Sequence, residues 1–181
     1  MGGHSVDKDR ENDFMNSREI KKYLQRLNDL LSADGVKGEM CLYGGAVMCL
    51  AYNARPNTKD VDAVFEPSQK IRGAAKKVAE ENRLPKDWLN DAVKGFLVKH
   101  PRTVLFNWSN LKVHVADPEY ILAMKSMAAR VDTRDKQDIK FLIRKLGIKS
   151  AQEVFGMLEK YYPKKQIKPA TRFFIEELFG K

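Results

Sequence analysis

The chain has 181 residues, of which 43% are hydrophobic and 31% are charged. That length supports one well-buried core with a small appendage. No apolar run approaches the ~20 residues that span a bilayer, and the polar first ten residues lack the apolar core of a secretory signal. These features argue against a membrane-spanning or secreted protein. We expect a cytoplasmic protein whose residues 1–15 form a disordered lead-in.

Positive charge is unevenly distributed along the chain. The formal net charge is +9, and residues 118–181 alone carry fourteen Lys and Arg against eight Asp and Glu. Such a surface either is simply well solvated or attracts a polyanion such as RNA. The charge therefore makes RNA a candidate partner without requiring it.

The two cysteines, Cys41 and Cys49, lie on either side of a pair of glycines. Neither they nor the three histidines show the spacing of a metal-binding motif. We predict two buried thiols in a reducing cytosol, with a disulfide as the alternative.

Apolar periodicity divides residues 16–117 into helices and short strands. Asn16 and Ser17 are typical of a helix start, and the three-to-four spacing of the apolar residues after them ends near Gly35. A turn or two of helix is also predicted after Pro85, through Val93. The elements predicted after the first helix are strand 39–43, helix 46–54, strand 60–65, helix 68–83, and a hairpin of strands 103–107 and 111–116.

From Asp117 onward the pattern is helical throughout. Asp117 precedes Pro118, a combination typical of a cap followed by proline at the first helical position. We predict helices over 118–130, 134–146, 150–161 and 169–179. The sequence thus predicts an α+β protein, with a small mixed β-sheet core flanked by helices over residues 16–117 and a helical extension over 118–181 packed on that core.

The most informative segment contains two aspartates, Asp60 and Asp62, which we call the acidic pair. They lie two residues apart on a predicted strand, so their carboxylates project from the same face. Two neighbouring like charges on such a strand are costly unless a cation neutralises them. We predict that the acidic pair binds a divalent metal, the alternative being a solvated strand end.

Two glycines, Gly44 and Gly45, precede the predicted buried helix and are called the glycine pair below. Glycines at this place let backbone amides approach a phosphate closely, and a helix N-terminus favours an anion. Arg55 and Thr58 come just before the acidic pair, where they can meet triphosphate oxygens. We predict an NTP site at these four residues, the alternatives being a plain tight turn and a surface arginine.

A single lysine, Lys125, lies inside the apolar stripe of its predicted helix, four residues after Ile121 and three after Leu122. A lysine there must extend to solvent, pair with a carboxylate or face a cleft. On the next helix, extending the buried face backwards reaches Asp135 and Asp138. We predict that Lys125 pairs with one of these acids, first with Asp138, either as a structural ion pair or as part of a functional cleft.

A third metal ligand is not evident from the sequence. The predicted strand 111–116 is the natural donor, but its polar positions are Lys112 and His114. His114 is a candidate ligand or base, and Asp117 follows the strand directly but suits a helix cap better. The third position is left to Asp117, to His114 or to neither.

The first motif resembles that of a known superfamily. The glycine pair followed by the run Arg55-x-x-Thr58-x-Asp60-x-Asp62 resembles the nucleotidyltransferase motif of the DNA-polymerase-β superfamily. This resemblance covers the strand after the acidic pair as well.

A second motif resembles one branch of that superfamily. Lys125-x-x-Ala128-x-Arg130, followed by Asp135-x-x-Asp138, resembles the second motif of the AbiEii-like nucleotidyltransferases. That branch comprises the toxins of type IV abortive-infection systems and their relatives. The two motifs together cover roughly residues 40–146.

The resemblance implies a Mg²⁺-dependent or Mn²⁺-dependent transfer of a nucleoside monophosphate from an NTP to an acceptor. The acidic pair would hold the metals, the glycine pair would hold the triphosphate, and Lys125 would balance its charge. Asp138 would act as a base or as the partner of Lys125. In members studied as toxins the acceptor can be the 3′ end of tRNA, so tRNA or other RNA and a cognate antitoxin are the implied partners.

Two alternatives to RNA modification stay open. The same chemistry can act on a small-molecule or protein hydroxyl. A degenerate member of the fold can also bind a nucleotide or RNA without turnover.

Overall fold

The computed structural model describes residues 13–128 and 133–180. Residues 1–12 of the lead-in, and Ala129 and Arg130 of the second motif, lie outside the described residues. The predicted α+β class is confirmed. The elements in chain order are β1 (Met15–Asn16), α1 (Ser17–Ala33), β2 (Gly38–Tyr43), α2 (Gly44–Leu50), β3 (Asn57–Thr58), β4 (Val61–Glu66), α3 (Ser68–Asn82), β5 (Leu89–Asn90), β6 (Arg102–Asn107), β7 (Leu111–Ala116), α4 (Pro118–Ala128), α5 (Thr133–Lys145), α6 (Ala151–Tyr161) and α7 (Pro169–Leu178), with 3-10 turns at Ala92–Phe96 and Lys164–Gln166.

A mixed sheet holds strands in the order β5-β4-β2-β7-β6. Its central strand β2 is antiparallel to β4 and parallel to β7, and β4 is parallel to β5. Along β4, Val61, Ala63 and Phe65 are buried while the positions between them are less so. Because successive strand residues point to opposite faces, Asp62 lies on the less buried face of β4.

Helix α1 shows why the predicted N-terminal boundary is correct. Asn16 accepts a hydrogen bond from the Glu19 amide at 2.9 Å, and the Glu19 side chain caps the Asn16 amide in return. The buried face of α1 consists of Ile20, Tyr23, Leu24, Leu27 and Leu31. This face packs partly against α3, so the core is built from the apolar stripe that the sequence predicts.

The short strands β1 and β3 form a two-stranded antiparallel sheet that places Met15 opposite Thr58. Met15 is almost fully buried. The prediction of disorder through residue 15 is therefore wrong for Met15, because its side chain has a place in the core. Pairing with β3 also ties the start of α1 to the segment that precedes the acidic pair.

Two predicted helices differ from the observed elements. Helix α2 ends at Leu50 instead of residue 54, and Asn53 has a positive φ of 49°, which an asparagine tolerates in a turn. The helix predicted after Pro85 is wrong at Leu89, which lies in β5 and pairs with Val61, whereas Ala92 and Val93 lie in a 3-10 turn. Trp88 remains fully buried, and its indole Nε1 donates to the Ala75 carbonyl at 3.0 Å.

The contacts divide the chain into two units. The first contains the residues up to Phe96 and Thr103–Val115, and the second contains Leu97–Arg102 and the residues from Ala116 onward. The second unit therefore takes in a segment before the predicted boundary. The reason is local, since the Val98 amide donates to the Tyr120 hydroxyl at 3.1 Å and His100 stacks on the Tyr120 ring. Within this unit α4 packs against α5, α6 and α7.

Both cysteines are buried thiols, Cys41 in β2 and Cys49 in α2, and neither forms a disulfide. This confirms the predicted burial. Among the helices of the described residues, none combines the length and the apolar character that crossing a membrane requires.

Candidate active site

Gly44 lies directly against Asp62, the second residue of the acidic pair. The antiparallel register of β2 and β4 sets Tyr43 opposite Asp62, so the first residue of α2 follows at the same end of the strand. Gly44 has a φ of +63°, and a Cβ built on it would fall 2.7 Å from Oδ2 of Asp62. Only a residue without a side chain leaves room for the carboxylate here.

Gly45 lies in equally close contact with the two residues predicted to meet phosphate. A Cβ at Gly45 would fall 2.6 Å from Oγ1 of Thr58 and 2.7 Å from Nη1 of Arg55. Thr58 is buried in β3 and its hydroxyl donates to the Asp60 carbonyl at 3.3 Å. The structure therefore brings the glycine pair, Arg55, Thr58 and Asp62 together, as a site built from them requires.

Asp60 is a surface residue just before β4, yet its carboxyl group is partly desolvated. This desolvation raises the pKa of Asp60, and the negative charge of Asp87 raises it further. Lys59 and Arg55 act in the opposite direction. The Asp60 carboxylate is thus a group whose ionised form is disfavoured in the absence of a further cation.

Asp87 is the neighbour of the acidic pair that the sequence does not indicate. It precedes Trp88, whose carbonyl accepts from the Val61 amide at 2.6 Å where β5 joins β4. That parallel pairing carries Asp87 towards Asp60 although the two are 27 positions apart in the chain. A two-residue strand leaves no periodic signal, so only the observed pairing reveals the neighbour.

Lys125 lies in the second unit and forms the predicted ion pair. Its Nζ is 2.8 Å from Oδ2 of Asp138 and 3.1 Å from Oδ1 of Asp135. The side chains of Lys125 and Asp138 are 9% and 4% exposed, whereas Asp135 is 33% exposed. The predicted pairing with Asp138 is confirmed, and Asp135 adds a second carboxylate that joins α5 to α4. This arrangement satisfies the buried ammonium, and a catalytic role of either partner stays a prediction.

The two candidates for a third ligand, His114 and Asp117, lie within β7 and just before α4. His114 is buried in β7, opposite Cys41 of β2, with its Nε2 3.9 Å from a carboxylate oxygen of Glu39. Asp117 precedes α4, and its carbonyl accepts from the Ile121 amide at 3.0 Å, as expected of the residue before a helix. On β7 the position that follows Val115, the partner of Leu42, is Ala116, so the sheet offers no acid at the level of Asp62.

The residues present suit a hard divalent cation. Two carboxylates supply oxygen ligands, and Mg²⁺ is normally held by one or two carboxylates together with water and substrate phosphates. Because Gly44 has no side chain, the Asp62 carboxylate fits into the space that a Cβ there would take. Among the residues that the structure describes, no group of three or more His, Cys, Asp or Glu side chains is arranged to hold a metal by itself.

The site within the first unit thus consists of the glycine pair, Arg55, Thr58 and the acidic pair, with Asp87 nearby. Its geometry follows from the β2–β4 and β1–β3 pairings. Comparison of the chain with protein-family models, with curated proteins and with solved structures found no match.

Proposed function

We propose that this protein is a Mg²⁺-dependent nucleotidyltransferase that moves a nucleoside monophosphate from an NTP to an RNA acceptor, with tRNA as the first candidate. One observation carries the proposal. The Asp62 carboxylate occupies the space that a side chain at position 44 would need, which brings a metal-ligand oxygen up against a backbone suited to a phosphate. The resemblance of the two sequence motifs to AbiEii-like nucleotidyltransferases points to the same chemistry.

The transfer asks the protein mainly for positioning and charge neutralisation. An acceptor hydroxyl oxygen forms a bond to the α-phosphorus and gives its proton to water. The bond from the α-phosphorus to the bridging oxygen breaks, and pyrophosphate leaves with that electron pair. When bound, Mg²⁺ neutralises phosphate charge and acidifies the attacking hydroxyl. In this proposal the acidic pair holds the cation and Arg55 donates hydrogen bonds to phosphate oxygens. Thr58 keeps its hydroxyl proton on the Asp60 carbonyl and so positions the start of the acidic pair.

The raised pKa of Asp60 supports the assignment of the acidic pair. Partial desolvation and the charge of Asp87 disfavour a carboxylate there, with Lys59 and Arg55 in opposition. A bound divalent cation would favour the ionised form instead. Residues that are unfavourable for the fold alone are typical of functional sites.

A second candidate function is a nucleotide-binding or RNA-binding module without turnover. The observation that favours it is the position on β7 after Val115, where Ala116 stands in place of an acid. Two carboxylates suffice to hold a metal–nucleotide complex, whereas two-metal transfer draws on more ligands. The two functions differ in product formation and not in nucleotide binding.

Label transfer separates these functions. The full chain is incubated with Mg²⁺, each of the four NTPs labelled at the α-phosphate, and total tRNA, and parallel reactions omit the tRNA or replace it with small hydroxyl compounds. We expect label in tRNA from at least one NTP and none in the presence of EDTA. Label found in the protein or in a small molecule, and not in tRNA, would show that the acceptor is that molecule and not RNA. Saturable Mg²⁺-NTP binding without transfer to any acceptor would contradict the enzyme and support the binding module.

A further inference from the structure

Helix α5 presents a row of cations on its surface. Lys136, Lys140 and Arg144 follow one another at four-residue intervals, so they lie on one side of the helix about 6 Å apart along its axis. Lys140 and Arg144 are exposed and Lys136 is half-buried. None of the three has a salt-bridge partner among the described residues. We call these three residues the basic row.

The acids of α5 do not balance this charge. The helix contains two, Asp135 and Asp138, and both carboxylates contact the Lys125 ammonium. Its buried residues include Ile139, Leu142 and Ile143, of which Leu142 lies opposite the basic row. The fully exposed charged side chains of α5 are therefore all cations, and its two acids are held by Lys125.

The basic row does not stabilise the helix. Like charges four residues apart repel each other. Lys136 lies in the first turn, where the helix dipole disfavours a cation. Only Arg144, in the last turn, is favourably placed. Because the positive charges of the basic row destabilise α5, we look for their role in binding a ligand outside the chain.

Helix α3 provides the contrast within the same protein. Its exposed Lys76 and Lys77 stand four residues before Glu80 and Glu81, so opposite charges alternate along that surface. Glu81 is also bound by Arg26, with the two side chains 2.8 Å apart. The lysines of α3 are thus balanced by nearby glutamates on the same helix, unlike the cations of the basic row.

We propose that the basic row of α5 binds the sugar–phosphate backbone of a nucleic acid strand. A linear polyanion matches evenly spaced cations, whereas a single phosphate would engage one or two of them. The inference deepens the proposed function, on which it rests for the choice of RNA, by naming the surface that holds the acceptor. Contacts of this kind fix position and carry no sequence information.

The test compares two triple substitutions of equal charge. One variant is Lys136→Gln/Lys140→Gln/Arg144→Gln in the basic row, and the matched control is Lys70→Gln/Lys76→Gln/Lys77→Gln in α3. Binding of a labelled single-stranded RNA of about 20 nucleotides, and of DNA of the same sequence, is measured by fluorescence anisotropy between about 50 and 200 mM salt. Melting temperatures of both variants are recorded alongside.

A plot of log K against log salt has a negative slope, and each phosphate contact to a single strand contributes about −0.7 to it. Loss of three contacts therefore makes the slope less negative by about 2. At about 0.1 M salt this weakens binding on the order of 100-fold. We expect this change in the basic-row variant with an unchanged or raised melting temperature, and a slope change below about 1 in the control. Equal binding to DNA assigns the row to backbone recognition in general, and stronger binding to RNA supports the acceptor role.

Three results would overturn the inference. The first is the same salt slope for the basic-row variant and the α3 control. The second is a loss of RNA affinity accompanied by a fall in the melting temperature of the basic-row variant. The third is binding of the wild-type protein to vesicles of anionic lipid in preference to RNA and DNA. The proposed function is judged separately by label transfer. If wild type transfers label to tRNA while the basic-row variant binds RNA as wild type does, the proposed function is supported and the inference about this surface is contradicted.

Discussion

The contact between Gly44 and Asp62 yields the most direct structural prediction. Substitution Gly44→Ala places a side chain at a φ of +63°, and its Cβ would meet the Asp62 carboxylate at 2.7 Å. The left-handed conformation alone costs about 1–2 kcal/mol for a residue with a Cβ. The carboxylate can rotate away, so we add little for the contact itself. A chain of this size loses about 2–4 °C of melting temperature per kcal/mol, so we expect a fall of about 2–8 °C.

Gly73→Ala is the matched control for this substitution. Gly73 lies within the exposed side of α3, and a Cβ there would meet nothing within 4 Å. Alanine in a helix interior is favoured over glycine by about 0.5–1 kcal/mol. The two substitutions add the same methyl group and are therefore expected to change the melting temperature in opposite directions.

Thermal unfolding followed by circular dichroism measures both variants, and Mg²⁺-NTP binding is measured by calorimetry on the same samples. We expect Gly44→Ala to lose nucleotide binding because the Asp62 carboxylate is displaced, whereas Gly73→Ala keeps it. A Gly44→Ala protein that melts at or above the wild-type temperature would refute the cost assigned to the left-handed backbone at Gly44. One that binds nucleotide like wild type would refute the role of the close approach to Asp62.

Two further predictions concern the charged residues. Asp60→Asn raises stability at neutral pH in EDTA, because the raised pKa of Asp60 makes the native state bind more protons than the unfolded state and stability falls as pH rises through that pKa. This gain fades as the pH approaches about 4, and melting curves at both pH values that show the same gain would contradict it. Lys125→Met leaves the Asp138 carboxylate buried without its cation and costs about 3–5 kcal/mol in urea unfolding. Replacing both by Lys125→Met/Asp138→Leu is expected to recover part of that loss, and a double variant no more stable than the single one would contradict the pairing.

The sequence predicts the longer elements of this fold because they are amphipathic. Helix α1 begins at the Asn16 cap and α4 at Pro118, as their local patterns indicate. The two-residue strands β1, β3 and β5 escape prediction because they are too short to show a period. Trp88 illustrates the ambiguity, since its spacing to Ala92 suits a helix while its burial comes from the side of β4 and α3.

The candidate site is predicted in composition but not in arrangement. The motif places Asp60 and Asp62 two residues apart, but only Asp62 lies within β4, and Asp60 precedes the strand. The contact of Gly45 with Arg55 and Thr58 depends on the turn after α2 and on the β1–β3 pairing. Local sequence patterns do not encode such long-range pairings, so they do not predict that Met15 and Asp87 are neighbours of this region.

Label transfer by two charge-neutralised variants tests the central claim most directly. Asp62→Asn removes the carboxylate beside Gly44, and Glu66→Gln removes an exposed carboxylate at the far end of the same strand. We predict that wild type and Glu66→Gln transfer labelled nucleoside monophosphate to tRNA, and that Asp62→Asn transfers at least about 100-fold less with an unchanged melting temperature. Equal transfer by Asp62→Asn and Glu66→Gln would contradict the account.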